Sequence, residues 1–280
     1  MVSVERLIVR RATADDQSCL VHLSEHAERV HIPRGGFSAL NVHSVLLAEY
    51  EAQVVGFISV TVRRPPVGIL QAIALADEWP AMTILDALLP SCFNALRRQG
   101  VEAVAYIGDE FWLSRLLVKN SFTIVNRILT YAKEDGRIPD RGNQMVHVRP
   151  AEKADLAAVV ALDEVTFDPL WRNTPDILAE IWARSPYFTV AELDGRIVGY
   201  QFNDVDGEHG HLTRIAVHPD FQGQGIGVRL MAEAIDFFRA AGVRVITLNT
   251  QKDNSNAQRL YRWFGFRRLE GEALVLWKSL

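Results

Sequence analysis

The residues best suited to chemistry form one glycine-rich stretch, Gln222-Gly223-Gln224-Gly225-Ile226-Gly227. An apolar run before it, residues 211–217, predicts a strand, and an amphipathic pattern that begins near Gly225 predicts a helix. Glycines allow a tight turn and let successive backbone N–H groups approach a ligand with no Cβ in the way. The helix adds its own unpaired N–H groups and the positive end of its dipole. Such a junction suits a pyrophosphate, although an ordinary glycine-rich turn has the same composition.

The spacing of these glycines does not fit the two commonest nucleotide-binding loops. A Walker loop ends in Gly-Lys-Ser/Thr, whereas Gly227 is followed by Val228-Arg229. A dinucleotide fingerprint needs G-x-G-x-x-G and an acidic residue about 20 positions later. The stretch therefore predicts a phosphate site of another kind.

A second polar group follows the next predicted strand, residues 243–249. Asn254 is placed to cap a helix that carries Tyr261. The two residues are about two helical turns apart, so their side chains project from nearly the same face. A tyrosine hydroxyl, with an ordinary pKa near 10, can act as a general acid. The alternative is a tyrosine that only packs in the core.

Together these residues resemble the GNAT superfamily of N-acetyltransferases. Gln222, Gly225 and Gly227 hold the positions of its Gln/Arg-x-x-Gly-x-Gly/Ala loop. The run Asn254-x-x-Ala257-x-x-Leu260-Tyr261-x-x-x-Gly265-Phe266 resembles its second signature. The resemblance covers residues 147–280 and implies that acetyl-CoA is the co-substrate, with no metal.

The resemblance also implies a role for each matching residue. Tyr261 would protonate the leaving thiolate, and Asn254 would lie beside the pantetheine. The backbone of the strand would pair with the pantetheine and the acetyl group, through Ile215, Ala216 and Val217. The amides of the loop would hold the pyrophosphate, through Gln222, Gly223, Gln224, Gly225, Ile226 and Gly227.

The expected reaction is transfer of an acetyl or other short acyl group to a primary amine by direct attack in a ternary complex. No covalent intermediate is expected, because both cysteines, Cys19 and Cys92, lie in the first half of the chain. Two alternatives stay open. One is a CoA-binding regulator with little turnover, and the other is a protein whose first domain presents a peptide to the second.

The general base is sought among His211, Glu208 and His209, in that order. Histidine titrates in the right range. If strand pairing is regular, His211 shares a face with Thr213 and Ile215. The histone-acetylating relatives carry glutamate at the equivalent position, and a half-exposed polar residue at the end of a hairpin is the alternative.

Acceptor binding is assigned to Asp168 and Trp171, in the segment after the first helix of the second half. In the family this connection lines the acceptor pocket, whereas an ordinary loop anchored by Trp171 is the alternative. His22 and His26 are one helical turn apart, but no further ligands complete a metal site, so a surface helix is favoured.

The elements that must position these residues occur twice along the chain. Residues 148–155 echo 9–16, and Ile215-Ala216-Val217 echoes Ile73-Ala74-Leu75. The first copy lacks the glycine loop, and Leu117 stands in the place of Tyr261. We expect a degenerate GNAT-like domain at 1–135, a linker at 136–146 and a catalytic GNAT domain at 147–280.

The expected fold class is α/β, with two tandem GNAT-like domains that each contain a mixed, mostly antiparallel sheet flanked by helices. The apolar patterns predict the following elements in chain order: strand 7–12, a helix from residue 13, a hairpin over 46–60, strand 69–75, helix 82–99, strand 101–107, helix 111–119, strand 122–132, strand 148–151, a hairpin over 190–200, strand 211–217, helix 225–241, strand 243–249 and helix 254–263.

Composition and net charge limit the classes of partner that the chain is expected to bind. The 280-residue chain has a net charge of −4 and is 49% hydrophobic. Each half carries a net charge of −2, which gives no electrostatic reason to expect nucleic acid or a membrane surface as a partner. We expect a cytoplasmic monomer or homodimer that acts on a small-molecule, peptide or protein amine.

Overall fold

The computed structural model describes residues 7–33, 36–37, 40–64 and 66–280. The chain forms two compact units, the first from Met1–Asn126 with Ala273–Leu280 and the second from Arg127–Glu272. The strands are β1 Ile8–Arg11, β2 Arg29–His31, β3 Val45–Tyr50, β4 Gln53–Arg64, β5 Val67–Leu75, β6 Ala103–Gly108, β7 Thr123–Lys133, β8 His147–Pro150, β9 Tyr187–Leu193, β10 Arg196–Asp206, β11 His209–Val217, β12 Val245–Gln251, β13 Arg267–Arg268 and β14 Ala273–Ser279. The helices are α1 Gln17–His26, α2 Ala81–Arg97, α3 Phe111–Lys119, α4 Leu156–Thr166, α5 Pro175–Arg184, α6 Ile226–Ala240 and α7 Ser255–Trp263.

The sheet of the first unit has the order β1-β3-β4-β5-β6-β14, and β2 also pairs with β5. Among its described strands only β5 and β6 pair in parallel. The long helix α2 buries its apolar side against this sheet, because Ile84, Leu88 and Leu89 recur at helical spacing. The predicted hairpin forms at Glu51 and Ala52, both of which have positive φ.

The sheet of the second unit has the order β7-β12-β11-β10-β9-β8, with β13 beside β7. Only β11 and β12 pair in parallel among its described strands. Apolar residues of α6 and α7 pack with one face of the sheet, and those of α4 and α5 pack with the other. The predicted fold class is confirmed.

The internal repeat is visible in the pairing of the strands. Thr213 is the extra residue of a β-bulge in β11, and Gln71 is the extra residue of the same bulge in β5. The parallel pair of each unit begins at positions 142 residues apart, Val67 with Ala103 and His209 with Val245. Both units therefore share the local geometry of their central strands.

Four elements of this fold escape the sequence patterns. These are the short strands β2 and β13, the helix α5, and β14 near the end of the chain. The compact units also divide differently from the predicted limits, because residues 128–133 of β7 pair with β12 and because β14 pairs with β6. The assignment of functions to 1–135, 136–146 and 147–280 stays a prediction.

A charged cluster fixes the entry to α4. Arg149 donates to Asp155 at 2.7 Å and 3.0 Å and to Glu192 at 3.1 Å. These hydrogen bonds hold the pKa of Asp155 below its ordinary value. A carboxylate with a lowered pKa stabilises the fold above pH 4, roughly its unfolded value, and this contribution is lost as the pH falls toward the folded pKa.

We expect Asp155→Asn to lower the free energy of unfolding by about 1.5–3 kcal/mol at pH 7, the range for hydrogen bonds to charged groups. The difference from wild type should shrink at pH 3. Urea unfolding at both pH values measures it. Asp206→Asn is the control, since Asp206 is exposed and no ion pair is found for it among the described residues. An equal loss at pH 3 and pH 7 would show that the charge of Asp155 contributes nothing.

Candidate active site

In the sheet of the second unit, the parallel strands β11 and β12 stop pairing with each other before either strand ends. The parallel pairs of β11 and β12 end at Leu212 with Leu248. Both strands continue, to Val217 and Gln251, but no longer pair with each other. On its other side β11 stays paired with β10 as far as Val217. The edge of residues 213–217 that faces away from β10 is therefore left unpaired among the described strands.

The glycine loop begins where this edge ends. Gly223 and Gly225 have φ of 76° and 77°, a conformation that favours glycine, and α6 begins at Ile226. Among the described residues, no acceptor is found for the backbone N–H groups of residues 223–228. Six consecutive donors thus stay available at the N-terminus of a helix, which is the arrangement that binds phosphate.

Asn143, which lies in the predicted linker, holds this loop in place through two hydrogen bonds. Its Nδ2 donates to the carbonyl oxygen of Gln224 at 3.0 Å, and its N–H donates to that of Gly225 at 3.2 Å. In a trans peptide the C=O and the following N–H point in opposite directions. Because Asn143 takes the two carbonyls, the N–H groups of Gly225 and Ile226 point away from it. Sequence reasoning missed this contact, which joins residues about 80 positions apart.

Tyr261 is 5% exposed and packs edge-on against Tyr131, with ring centroids 5.9 Å apart. Burial raises the pKa of Tyr261 to about 12. The hydroxyl oxygen of Tyr261 is either accessible to solvent or hydrogen-bonded, since it is not one of the buried atoms without a hydrogen-bond partner. Asn254 caps α7, with its Oδ1 accepting from the N–H of Ala257 at 3.1 Å. The cap and the tyrosine thus lie on one helix, as predicted.

His211 lies where β11 and β12 are still paired. Its Nδ1 is 2.8 Å from Oγ1 of Thr247, and that hydroxyl donates to the carbonyl oxygen of Gly210 at 3.1 Å. A hydroxyl has one hydrogen, so Nδ1 of His211 is the donor to Thr247. In the neutral ring, Nε2 is then the basic nitrogen.

The bulge at Thr213 changes the face on which His211 lies. Leu212 and Ile215 both pack on the α6 side of the sheet, although three positions separate them. His211 therefore points to the opposite face from Ile215. The expectation that the two share a face is wrong, because it assumed regular pairing and the extra residue reverses the alternation.

The other two candidate bases lie at the start of β11. Glu208 and His209 are exposed, and Glu208 forms an ion pair with Arg244 at 2.9 Å. At about 3.3 Å per residue, Glu208 is roughly 16 Å along the strand from Thr213. The geometry thus brings His211 nearer to the unpaired edge than either of them.

A buried charged network lies on the α4 side of the sheet, and sequence reasoning missed it. Asp163 is 0% exposed; it accepts a hydrogen bond from Tyr200 and lies 3.3 Å from Nη1 of Arg214. Arg214 also donates to the carbonyl oxygen of Trp171 at 2.7 Å. Its guanidinium stacks 4.0 Å above the ring of Phe167. The only sequence signals were the adjacent acidic residues Asp163 and Glu164 in the apolar pattern of α4 and Arg214 in that of β11.

The network holds the segment assigned to the acceptor. Asp168 is exposed and precedes a short 3-10 turn that contains the partly exposed Trp171. The N–H of Asn173 donates to the carboxylate of Asp163 at 2.8 Å, and Arg214, which lies against the same carboxylate, donates to Trp171, so the C-terminal end of this segment is held by the buried pair. The segment is therefore positioned by β11, the strand that also borders the open edge.

Metal sites and membrane spans give no further candidates. Within the described parts of the chain, no group of three or more His, Cys, Asp or Glu side chains could hold a metal ion. His22 and His26 stack on each other, with ring centroids 4.2 Å apart. Over the same described residues, no helix is both long and apolar enough to span a membrane.

An open strand edge that leads into a helix N-terminus with unpaired amides suits a ligand that carries both amide groups and phosphate. Residues 156–266 match the Acetyltransferase (GNAT) family. An uncharacterized N-acetyltransferase from Methanocaldococcus jannaschii is 31% identical over 122 residues, which span 43% of this chain and 77% of that protein. The chain belongs to the GNAT family and is an acetyl-CoA-dependent N-acetyltransferase.

The chain is also similar to two further proteins. Mycothiol acetyltransferase from Sanguibacter keddieii is 35% identical over 98 residues, which span 32% of this chain and 31% of that enzyme. A tandem GNAT protein from the clavulanic acid biosynthesis pathway matches at a TM-score of 0.63 and 12% identity, covering 98% of each chain. The second match concerns the fold alone, and it confirms the predicted tandem architecture.

We expect Gly225→Asp to abolish acetyl-CoA binding. A Cβ at φ 77° is strained and would lie 3.2 Å from the backbone nitrogen of Asn143, so the loop and its amides would be displaced, and the added negative charge would oppose a pyrophosphate. Gly227→Ala is the matched control, since its Cβ would meet only Leu260 at 3.7 Å and Val217 at 3.9 Å. Calorimetric titration should show near-normal affinity for the control. Equal affinities in the two variants, with both folded by circular dichroism, would exclude the loop as the phosphate site.

Proposed function

We propose that the second unit transfers an acetyl or short acyl group from acyl-CoA to a primary amine by direct attack within a ternary complex. The observation that carries the proposal is the continuity of the unpaired edge 213–217 with the six unpaired amides of residues 223–228. The backbone of Ile215, Ala216 and Val217 would pair with the amide-bearing pantetheine. The loop from Gln222 to Gly227 would hold the pyrophosphate.

Tyr261 is proposed as the donor to the leaving sulfur. With a pKa of about 12, its hydroxyl is protonated at neutral pH. An ordinary thiol has a pKa near 8.5. Complete proton transfer from Tyr261 to the thiolate is therefore uphill, so the hydroxyl acts chiefly through a hydrogen bond that strengthens as charge develops on sulfur. The proximity of Tyr131, Phe264 and Phe266 keeps water from competing for that bond.

His211 is proposed as the base that receives the proton of the ammonium substrate. Its hydrogen bond to Thr247 fixes the ring and makes Nε2 the basic nitrogen. The bulge places it on the face of the sheet that also carries Arg214, the residue that holds the acceptor segment. Glu208 is the less favoured base because it lies at the far end of the strand and is paired with Arg244.

The acceptor is proposed to bind beside Asp168 and Trp171. Asp168 supplies an exposed carboxylate suited to an ammonium group, and Trp171 supplies an apolar surface. The buried pair of Asp163 and Arg214 would keep this segment in place. The mycothiol enzymes, which match a third of the chain, act on a small molecule, and this supports a small-molecule amine as the first class to test.

The first unit is proposed to have lost its own acetyl-CoA site. Its β5 and β6 separate after Ile69 and Ala105, as β11 and β12 do in the second unit. Here, however, β2 pairs with Ile73, Ala74 and Leu75, the positions that correspond to the open edge 215–217. The chain itself therefore occupies the strand edge that pantetheine would need.

The segment that replaces the glycine loop is also unsuited to phosphate. Asp77 accepts a hydrogen bond from the N–H of Glu28 at 2.9 Å and lies 3.6 Å from Nε of Arg29. Arg29 donates in turn to the carbonyl oxygens of Asp77 and Trp79. These contacts fasten β2 to the loop, and the carboxylates of Asp77 and Glu78 would repel a pyrophosphate.

We expect acetyl-CoA to bind once per chain. Titration calorimetry of the full chain should give one site, and Gly225→Asp should leave none. Two sites of comparable affinity would show that β2 does not block the first unit. One residual site in the Gly225→Asp variant would show that acetyl-CoA binds outside the glycine loop of the second unit.

We expect Tyr261→Phe to lower kcat by about 10²–10³-fold, the usual cost of losing one hydrogen-bond donor to a developing negative charge, with acetyl-CoA affinity nearly unchanged. A panel of amines, read by release of CoA thiol, first identifies an acceptor. Tyr131→Phe is the matched control, because its ring lies beside Tyr261 while its hydroxyl donates to Gln258 at 3.3 Å. Near-normal kcat in Tyr261→Phe, with chemistry rate-limiting, would remove this residue from the mechanism.

A further inference from the structure

The first unit contains a pocket of about 530 Å³ that the acetyltransferase reaction does not use. It lies between α2 and the strands β3, β4 and β5, away from the edge that β2 occupies. A volume of this size falls within the range of small-molecule sites. Residues that line its apolar part include Leu46, Ile58, Val60, Cys92, Ala95 and Leu96.

Comparison with the second unit shows why this space is open. There, Tyr187 of β9 and Phe237 of α6 stack with ring centroids 4.2 Å apart and nearly parallel planes. The repeat puts Ser44 at the position of Tyr187, since Val45–Ser59 and Phe188–Phe202 are equivalent strand pairs. Ala95 lies 142 positions before Phe237, the offset that also separates the parallel strand pairs of the two units. Ser44 and Ala95 both line the pocket. Two small side chains thus replace an aromatic stack, and the space that the stack would fill is left open.

The floor of the pocket has also changed character between the two units. In the second unit, Thr189, Gln201 and Asn203 stand beneath α6, and all are buried. Their counterparts in the first unit are Leu46, Ile58 and Val60, which give the pocket an apolar floor. An apolar floor binds the apolar body of a ligand through the surface that both remove from water.

The charges of the residues that line the pocket indicate which polar group the other end of the ligand carries. No aspartate or glutamate is among the described lining residues. Arg11 lines the pocket beside His43 and donates to its carbonyl oxygen at 3.3 Å. The amide groups of Asn41, Gln71 and Gln99 complete a polar rim. A cationic group beside amides, with no carboxylate to oppose it, favours an anionic head group.

We propose that the first unit binds a small molecule with an apolar body and an anionic head in the pocket between α2 and β3–β5. The body lies on Leu46, Ile58 and Val60, and the head lies at the rim beside Arg11. This site is independent of the acetyl-CoA site proposed for the second unit. It also gives the first unit a role that does not need the glycine loop.

A fluorescence titration with 8-anilinonaphthalene-1-sulfonate tests the proposal, since this probe joins aromatic rings to a sulfonate. Saturating acetyl-CoA is present throughout, so that the second unit cannot take up the probe. We expect saturable binding of one probe per chain. Ala95→Phe, which restores one ring of the stack, should weaken binding about tenfold or more by filling the pocket. Arg11→Gln should weaken it about two- to fivefold, as expected for an exposed charge pair.

The double variant Ser44→Tyr/Ala95→Phe should abolish probe binding, because it reproduces the pair found in the second unit. The hydroxyl oxygens of Ser44 and Ser59 lie 3.0 Å apart, and replacing Ser44 removes this contact. If the double variant does not fold for this reason, the single Ala95→Phe variant decides the result. The acetyl-CoA affinity of each variant reports whether the second unit is intact. Absence of saturable binding to wild type, or unchanged affinity in Ala95→Phe, would overturn the proposal.

Discussion

The separation of β11 from β12 after Leu212 is the constraint on which the second unit depends. A parallel pair that continued to Val217 would satisfy both strand edges and leave no backbone to bind a ligand. The bulge at Thr213 marks the point where pairing ends, and it also reverses the faces of the residues that follow. The open edge and the orientation of Arg214 both follow from this local geometry.

Both units contain this bulge and this separation, so the fold alone does not decide which of them acts. In the first unit β2 fills the edge and is fastened by Arg29 to the loop at Asp77. The buried network around Asp163 and Arg214 is also missing there, because Phe57 and Ala72 hold the places of Tyr200 and Arg214. Burying these charges costs desolvation energy, and rules of this kind are most often broken at functional sites.

The sequence predicted the parts of the structure that depend on local pattern. The glycine loop, the apolar stripe of α6 and the cap of α7 at Asn254 each involve neighbours in the chain. It did not predict β2, since three residues carry no measurable period, nor the ion pair of Asp163 with Arg214, whose partners are about 50 positions apart. The face of His211 was misassigned because a bulge leaves no mark in the residue types.

Hydrogen–deuterium exchange with and without acetyl-CoA tests the central claim most directly, since it reads the backbone amides themselves. Binding should slow exchange in residues 213–217 and 223–228 of the second unit. Residues 73–79 of the first unit should exchange at the same rate in both states. Protection of 73–79, or a loop at 223–228 that exchanges unchanged at saturating acetyl-CoA, would contradict the account.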